Sequence, residues 1–582
     1  MKTRTLFAAA TVLSLLGLIS VSSQAADQTF IKITEGPIVT ELDASQGARW
    51  WDYNNDGWLD LYVNHAAFGS GTLSSFFHNN GDGTFTKIPT NALATVRKRF
   101  ISCAVGDFDN DGDEDIYVLS NATGGGSEPR CDLYRNDGNG RFTPVSGPWQ
   151  QDADSTIDCS LVDYDRDGFL DVFVVNGLNR TTCLYRQTAP GTFVKMTAAQ
   201  VGSILTSSPE ESYNCAWADY DNDGDPDVWL ENYKSTSQLH RNDGQAFFTR
   251  VTDGSIVQGR SGGLAVWGDY DNDGFLDLFA GGDGSGGPFT NALHRNLDGF
   301  GFTNVATSAG VALKMACYAP AWGDYDNDGW LDLFTTSWYA STGTNILFHN
   351  RGDGTFEAVD VGSPIHDGAI HAVVSWADYD NDGFLDLFLG CGDVGALERN
   401  HLYRNNARGI GNANHWLKIK LNGQASNRSG IGAKVRVNAT IGSREFRQVR
   451  EITGNGSSAT GHDLLAHFGL GHATTVTTVH IEWPSGIVQG LTNVAADQVL
   501  SITEHQVYVG PAPAFARATA SPAGLDLSIT EPAADAVYVL ETSTDLVTWT
   551  KLMARTSTAG THSFTDARAI NQPARFYRLV VP

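Results

Sequence analysis

Seven copies of one short pattern hold most of the chemistry in this sequence. Each reads Asp-aromatic-Asp-x-Asp-Gly-x-x-Asp with few departures, and the copies start at Asp52, Asp107, Asp163, Asp219, Asp269, Asp324 and Asp378. Positions 1, 3, 5 and 9 gather oxygen ligands within nine residues. They are Asp52, Asn54, Asp56 and Asp60; Asp107, Asp109, Asp111 and Asp115; Asp163, Asp165, Asp167 and Asp171; Asp219, Asp221, Asp223 and Asp227; Asp269, Asp271, Asp273 and Asp277; Asp324, Asp326, Asp328 and Asp332; and Asp378, Asp380, Asp382 and Asp386. Carboxylates this close repel one another, and no basic residue recurs at a fixed spacing to neutralise them, so each loop calls for a cation or for shifted pKa values. Hard oxygens at alternate positions, Gly at position 6 for the sharp turn and a carbonyl at position 7 suit Ca2+, with the position-9 Asp closing the sphere. The expectation is up to seven calcium ions, one per copy. Asn54 weakens the first site, and Arg166, at a non-ligand position, weakens the third. An EF-hand is excluded, because its position-12 Glu is replaced by Val63, Val118, Val174, Leu230, Ala280, Thr335 and Leu389. A cage built from protein alone leaves at most one water position, so the ions are expected to staple structure rather than to catalyse.

The spacing says what must position these loops. Successive starts lie 55, 56, 56, 50, 55 and 54 residues apart, the period of a four-stranded propeller blade. The residues after each copy are rich in strand formers with no helical period, as in Leu59-Asp60-Leu61-Tyr62-Val63 and Leu385-Asp386-Leu387-Phe388-Leu389. The pattern is therefore a turn between two strands. A later element, Leu133-Tyr134-Arg135-Asn136 or Leu402-Tyr403-Arg404-Asn405, reads as a third strand, and a Gly turn with Phe as the hairpin into a fourth. Phe85, Phe142, Phe193, Phe248, Phe302 and Phe356 mark that fourth strand after copies one to six, whereas the seventh stands at the front, in Phe30-Ile31-Lys32-Ile33. The N-terminal strand is thus expected to complete the last blade, closing a seven-bladed ring and removing open edges.

On these residues, for example Trp322-Gly323-Asp324-Tyr325-Asp326-Asn327-Asp328-Gly329, the seven copies resemble FG-GAP/VCBS repeats, the blades of integrin-α-like propellers. The resemblance implies calcium in the loop between the first two strands of a blade and does not by itself imply a ligand. Downstream, Trp416-Leu417-Lys418-Ile419-Lys420-Leu421, Gly430-Ile431-Gly432-Ala433, His467-Phe468-Gly469-Leu470-Gly471 and Trp483-Pro484-Ser485-Gly486 are similar to the ASPIC/UnbV domain. Its pairing with the upstream repeats resembles the cartilage acidic protein family, which has bacterial members. After the Pro/Ala stretch Gly510-Pro511-Ala512-Pro513-Ala514, segments such as Tyr538-Val539-Leu540-Glu541 resemble a fibronectin-like sandwich. The expected organisation is all-β: a signal peptide over 1–25, the propeller over 26–408, the ASPIC/UnbV domain over 409–505, a linker over 506–514 and a C-terminal β-sandwich over 515–582.

Charge follows the same partition. The chain carries 66 acidic and 39 basic residues, a net charge of -27. Residues 27–408 hold 54 of the acidic and 23 of the basic residues, and 27 carboxylates at the motif positions account for nearly all of that excess. So acidic a surface excludes nucleic acid as a partner. Lys2, Arg4, the apolar run from Leu6 to Val21 and Ser23-Gln24-Ala25 read as a signal peptide cleaved near Ala25, too short in its apolar part to span a membrane. The expected location is secreted, either extracellular or periplasmic. Seven Cys, an odd number, leave at least one free or paired between chains, and burial as small hydrophobes is the expected role.

Other features have plain readings. Trp50, Trp217, Trp267, Trp322 and Trp376 each precede a copy by two residues and are expected between blades rather than on a sugar platform. Arg351-Gly352-Asp353 is the local version of the hairpin Asn80-Gly81-Asp82, not a recognition tripeptide. Arg428, Arg450, His462 and His467 could line a polar site, but no nucleophile elbow, zinc-protease motif or phosphate loop occurs. The sequence reads as a non-enzymatic, calcium-binding adhesion or recognition protein for an extracellular glycan or protein. The alternative is a polysaccharide-active hydrolase or lyase working on the propeller face. The sequence leaves the oligomeric state open.

Overall fold

The computed structural model describes residues 29–580 except for single residues, pairs and the stretches 66–71, 121–130, 153–155, 206–211, 233–235, 259–261, 283–290, 314–316, 338–344, 393–395, 456–462, 505–513, 544–549 and 567–575. The signal-peptide reading of residues 1–25 and the linker reading of 506–514 therefore fall almost wholly outside the described residues. No helix among the described residues is long and apolar enough to cross a membrane.

Seven four-stranded antiparallel sheets follow one another along the chain. Blade one pairs Ser45–Trp51, Asp60–His65, Ser75–Asn79 and Phe85–Lys87 in that order. Blades two to six begin with Phe100–Gly106, Thr156–Val162, Ser212–Ala218, Gly262–Gly268 and Pro320–Gly323. Blade seven consists of His371–Ala377, Asp386–Cys391 and His401–Asn405, and its fourth strand is Phe30–Ile33, which pairs Phe30 with Asn405 and Ile33 with Leu402. First strands pack side by side from blade to blade, and that of blade seven packs on that of blade one. The expected ring and its closure by the N-terminal strand are both present.

Aromatic side chains hold neighbouring blades together. The fourth-strand Phe of each blade sits against the motif's position-2 aromatic of the blade before it, at centroid distances of 5.4 to 6.3 Å in all seven interfaces, from Tyr53 with Phe142 round to Phe85 with Tyr379. Phe30 fills this place against Tyr325, which is the packing reason the first strand docks there. Trp50 lies parallel to Tyr379, Trp267 to Tyr220 and Trp322 to Tyr270, with ring planes 8 to 10° apart. The indoles of Trp267, Trp322 and Trp376 also donate to first-strand carbonyls of the preceding blade. Each such aromatic pair adds roughly 0.5–1.5 kcal/mol beyond the area it buries. The Trp row is interface core, as its repeat-equivalent spacing predicts.

A second domain follows, with two sheets. One joins Leu465–Gly471, His415–Asn422 and Gln498–Thr503, and the other joins Arg444–Glu451, Lys434–Ile441, Thr475–Glu482 and Val488–Ala495. Its apolar interior, with Leu417, Ile419, Val435, Val479 and Trp483, runs without a break into Leu161 and Leu170 of blade three. Gly454–Asn455 adds a fifth strand to that blade by pairing with Ser160 and Leu161. Gly469 comes so close to Asp324 and Asn327 that a Cβ there would overlap both. The domain is thus seated on the end of the ring that carries the acidic loops. In the C-terminal segment the described strands Ala514–Ser521, Gly524–Ser543, Thr550–Asp566 and Phe576–Val580 form one antiparallel sheet.

All seven Cys are buried and none is joined in a disulfide. Arg351-Gly352-Asp353 lies in a hairpin turn in which Asp353 accepts from Thr355 and Arg351 pairs with Glu357, the arrangement that Asp82 and Thr84 repeat in blade one.

Candidate metal centres

Each acidic motif is the turn between the first and second strands of a blade. Two residues bend it: position 4 has φ between 56 and 62° in every copy, and the position-6 Gly lies between 88 and 105°, a conformation that costs Gly nothing. The bend aims the backbone N–H groups of positions 5 and 6 at the position-1 carboxylate. Asp111 and Gly112 donate to Asp107 at 3.1 and 2.7 Å, and the same pair of bonds recurs in all seven copies. The position-9 Asp is buried and equally fixed. Its Oδ1 accepts from the backbone N–H at the end of the third strand (Asn79, Asn136, Gln187, Asn242, Asn296, Asn350, Asn405) at 2.7 to 2.8 Å. In copies two to seven its Oδ2 accepts from the position-2 N–H.

The loops are latched to one another. Asn55, Asn110, Asn222, Asn272, Asn327 and Asn381, all at position 4, donate through Nδ2 to the position-6 carbonyl of the next blade at 3.0 to 3.3 Å, and Asn381 closes the circle onto Gly57. Arg166 breaks the series; its guanidinium binds the Pro484 carbonyl and Asp225 instead of entering the third loop. A second circle joins the amide side chain at the end of each third strand to the position-2 carbonyl of the blade before it.

Position 3 is different, because in copies two to five one of its two oxygens has no partner in the protein. The Oδ1 atoms of Asp109, Asp165, Asp221 and Asp271 are buried without a hydrogen-bond partner, a costly state for a carboxylate oxygen. In copies two, three and four the ligand atoms of positions 1, 3 and 9 lie within 4.8 Å of one another. Burial pushes the carboxyls of Asp107 and Asp163 up to about 7 and that of Asp60 up to about 8. Desolvation drives Asp115, Asp171, Asp227, Asp277, Asp332 and Asp386 well above the usual carboxylate range. An all-oxygen set with unmatched buried oxygens, as in copies two to four, fits a hard divalent cation, whereas in copy six the His349 imidazole lies among the candidate ligand atoms of Asp326 and Asp332.

Some of these carboxylates have basic partners, which come from no fixed spacing in the sequence. The residue just before the third-strand Asn or Gln is Arg or His; in copies one, three, five and six it turns back to the loop, whereas Arg135 and Arg241 pair with Asp137 and Asp243 of the following hairpin. Arg186 reaches Asp165 and Asp167 at 2.5 and 2.9 Å, Arg295 reaches Asp271 and Asp273 at 2.5 and 3.2 Å, and His78 and His349 lie 3.0 and 3.1 Å from Asp60 and Asp332. The connection between second and third strands varies in length, which hid the register. The second domain adds more: Lys418 pairs with Asp378 at 2.5 Å and Lys434 with Asp219 at 2.9 Å, all four side chains buried. In copy one Asn54 donates to Asp56 at 2.8 Å, so position 3 there presents an amide to its neighbour. Of the polar candidates in the second domain, Arg450 and His467 flank a cavity of about 180 Å³ shared with Arg49, Asp324 and Asp463. Arg428 binds the Gly423 carbonyl, away from it, and His462 lies outside the described residues.

A family model for the FG-GAP-like repeat matches residues 52–118, 122–174, 163–230, 219–280, 269–335 and 324–389, together more than half of the chain. The chain belongs to the FG-GAP-like repeat family. A model for ASPIC and UnbV matches residues 423–508, within which lie most strands of the domain seated on the FG-GAP ring. Cartilage acidic protein 1 of Mus musculus is 27% identical over 186 residues, and that of Homo sapiens 28% over 186. Each match takes in 31% of this chain and 27% of the relative, so the chain matches about a quarter of the length of these curated proteins. Among solved structures, BBS1N in complex with ARL6DN aligns with a TM-score of 0.39 and 10% identity over 64% of this chain and 97% of the other. The fucose-specific lectin of Aleuria aurantia aligns at 0.31 and 9%, over 54% and 93%.

Proposed function

We propose that this FG-GAP-repeat chain is an exported, calcium-stapled binding protein that recognises an extracellular glycan or protein. The observation that carries the calcium reading is the row of buried, unpartnered position-3 oxygens beside the position-1 and position-9 carboxylates. When bound, the cation supplies positive charge that offsets the repulsion within a loop; Asp107, Asp109 and Asp115, and their equivalents, would hold it. The chain's own part is to fix those oxygens by backbone N–H donors and to latch each loop to the next through Asn55 and its counterparts. The role fits a staple better than a reaction centre, since the ASPIC/UnbV domain covers this end of the ring and sets Lys418 and Lys434 on two of the loops. Recognition then belongs to the opposite end, where second strands such as Asp60–His65 and Asp386–Cys391 finish. The test incubates the protein with a panel of polysaccharides in millimolar calcium, scoring retained protein and released oligosaccharide together. Retention without release, lost on chelation, is the expected result. Released oligosaccharide would overturn the binding reading in favour of a hydrolase or lyase, and neither signal would redirect the search to protein ligands.

A further inference from the structure

At the end of blade seven away from its acidic loop, three neighbouring strands place His371, Cys391 and His401 together. His371 stands opposite Cys391 in the strand register, and His401 stands opposite Leu389 on the third strand. One nitrogen of each imidazole and the sulfur lie within 4.8 Å of one another, with His371 and Cys391 buried. The same three strand positions hold Ser45, His65 and Ser75 in blade one, where His65 Nε2 and Ser75 Oγ are 2.9 Å apart. In blade three they hold Thr156, Asn176 and Cys183, and Asn176 donates to the Cys183 sulfur at 3.5 Å. Blade seven replaces that hydrogen-bonded polar layer with two imidazoles and a thiol.

The imidazoles do not make an ordinary hydrogen bond. His371 Nε2 and His401 Nδ1 are 3.4 Å apart, beyond the usual range of about 2.7–3.2 Å. Two nitrogens bound to one tetrahedral zinc, each at about 2.05 Å, stand about 3.3 Å apart, and a nitrogen and a thiolate sulfur about 3.6 Å. The separation therefore matches an edge of a metal tetrahedron. His401 Nδ1 presents its lone pair in the tautomer that carries the ring proton on Nε2. Tyr403 lies 3.2 Å from His401 Nδ1, but its hydroxyl donates to Asp367 at 2.7 Å, and Lys32 holds the same carboxylate at 2.7 Å. Burial keeps both imidazoles neutral, lowering His371 to about 3 and His401 to about 4, the form that ligates metal.

We propose that His371 Nε2, His401 Nδ1 and Cys391 Sγ form a binding site for one borderline-soft transition metal ion, Zn2+ by chemistry, separate from the acidic loops. Neutral imidazole and thiolate select against calcium, as the all-oxygen loops select for it. On binding, the Cys391 S–H bond breaks, a metal–sulfur bond forms and one proton leaves to solvent; no electron is transferred. Three protein ligands leave a fourth position, which water or a ligand side chain can take.

The test uses the full chain, stripped of metal and returned to millimolar calcium and magnesium, then titrated with Co2+ as a spectroscopic stand-in for zinc. One equivalent is expected to raise a thiolate-to-cobalt charge-transfer band, and Zn2+ to bleach it. Carboxylate loops cannot produce that band, so calcium-site occupancy does not confuse the reading. Cys391→Ser is expected to abolish the band, and His371→Gln and His401→Gln to weaken cobalt binding at least 10-fold. Absence of the band in the parent chain, or its survival at full strength in Cys391→Ser, overturns the proposal. Should Cys391→Ser fail to fold, judged by its melting in calcium, the two His variants decide: unchanged cobalt affinity in both overturns it.

Discussion

Raising the pH of the metal-free protein from 5 to 8 should destabilise the ring, and calcium should cancel most of the loss. Asp107 and Asp163 are buried carboxyls held at about 7 in the folded chain, against 3.8 for an unperturbed Asp, with burial as the chief cause. Between those values the native state binds protons that the unfolded chain has released. Their contribution is therefore fully present below pH 3.8 and is lost as pH rises through about 7. A carboxyl raised from 3.8 to about 7 contributes about 4 kcal/mol in all, at roughly 1.36 kcal/mol for each pH unit, of which about 3 kcal/mol is lost between pH 5 and 8. Two such groups are of the order of a whole domain's stability of about 5–15 kcal/mol. A bound cation reverses the sign by favouring the ionised form, and at ten times its dissociation constant it adds about 1.4 kcal/mol per site, summed over the loops it fills. The assay is thermal melting from pH 5 to 8, with metal-stripped protein and with millimolar calcium. The expected result is a melting temperature that falls by several degrees without calcium and stays nearly level with it. A metal-free melting temperature that is flat or rises over this range would contradict the proton linkage, as would equal curves with and without calcium at pH 8.

Three further outcomes rest on particular contacts. Lys418→Met leaves the buried Asp378 carboxylate without its ion pair and should cost about 3–5 kcal/mol in chelator, and less in calcium; equal losses in both conditions, by denaturant unfolding, would argue against a cation beside Asp378. Asn405→Ala strips donors from the Tyr325 and Leu385 carbonyls and the latch between blades six and seven, with an expected loss of about 1–3 kcal/mol, checked by the same unfolding curves. Since all seven Cys are buried and none is in a disulfide, an aromatic disulfide reagent should find none reactive in the native protein and seven after denaturation, and a lower denatured count would reveal a disulfide.

Local rules made much of this protein legible from its sequence. A nine-residue pattern with Gly at position 6 can only be a tight turn, its period of about 54 residues measures one blade, and a missing seventh Phe element pointed to Phe30 as the closing strand. Those inferences succeed because turn geometry, strand alternation and repeat period are set by residues near one another in the chain. The position-1, 3 and 9 carboxylates were legible as a set for the same reason.

Contacts between residues far apart in the chain had to await the folded molecule. Arg186 and Arg295 meet their carboxylates across connections of unequal length, so no fixed spacing announced them. Nothing local to Lys418 and Lys434 says that a strand more than a hundred residues from most of the motifs will lay them on Asp378 and Asp219, or that the second domain thereby covers the acidic end of the ring. His371, Cys391 and His401 read separately as strand residues, and become a cluster only when three strands fix their register. Local pattern set the turns, the blades and the oxygen ligands; close packing of distant surfaces settled which charges are neutralised, which end of the ring is free, and where unlike side chains meet.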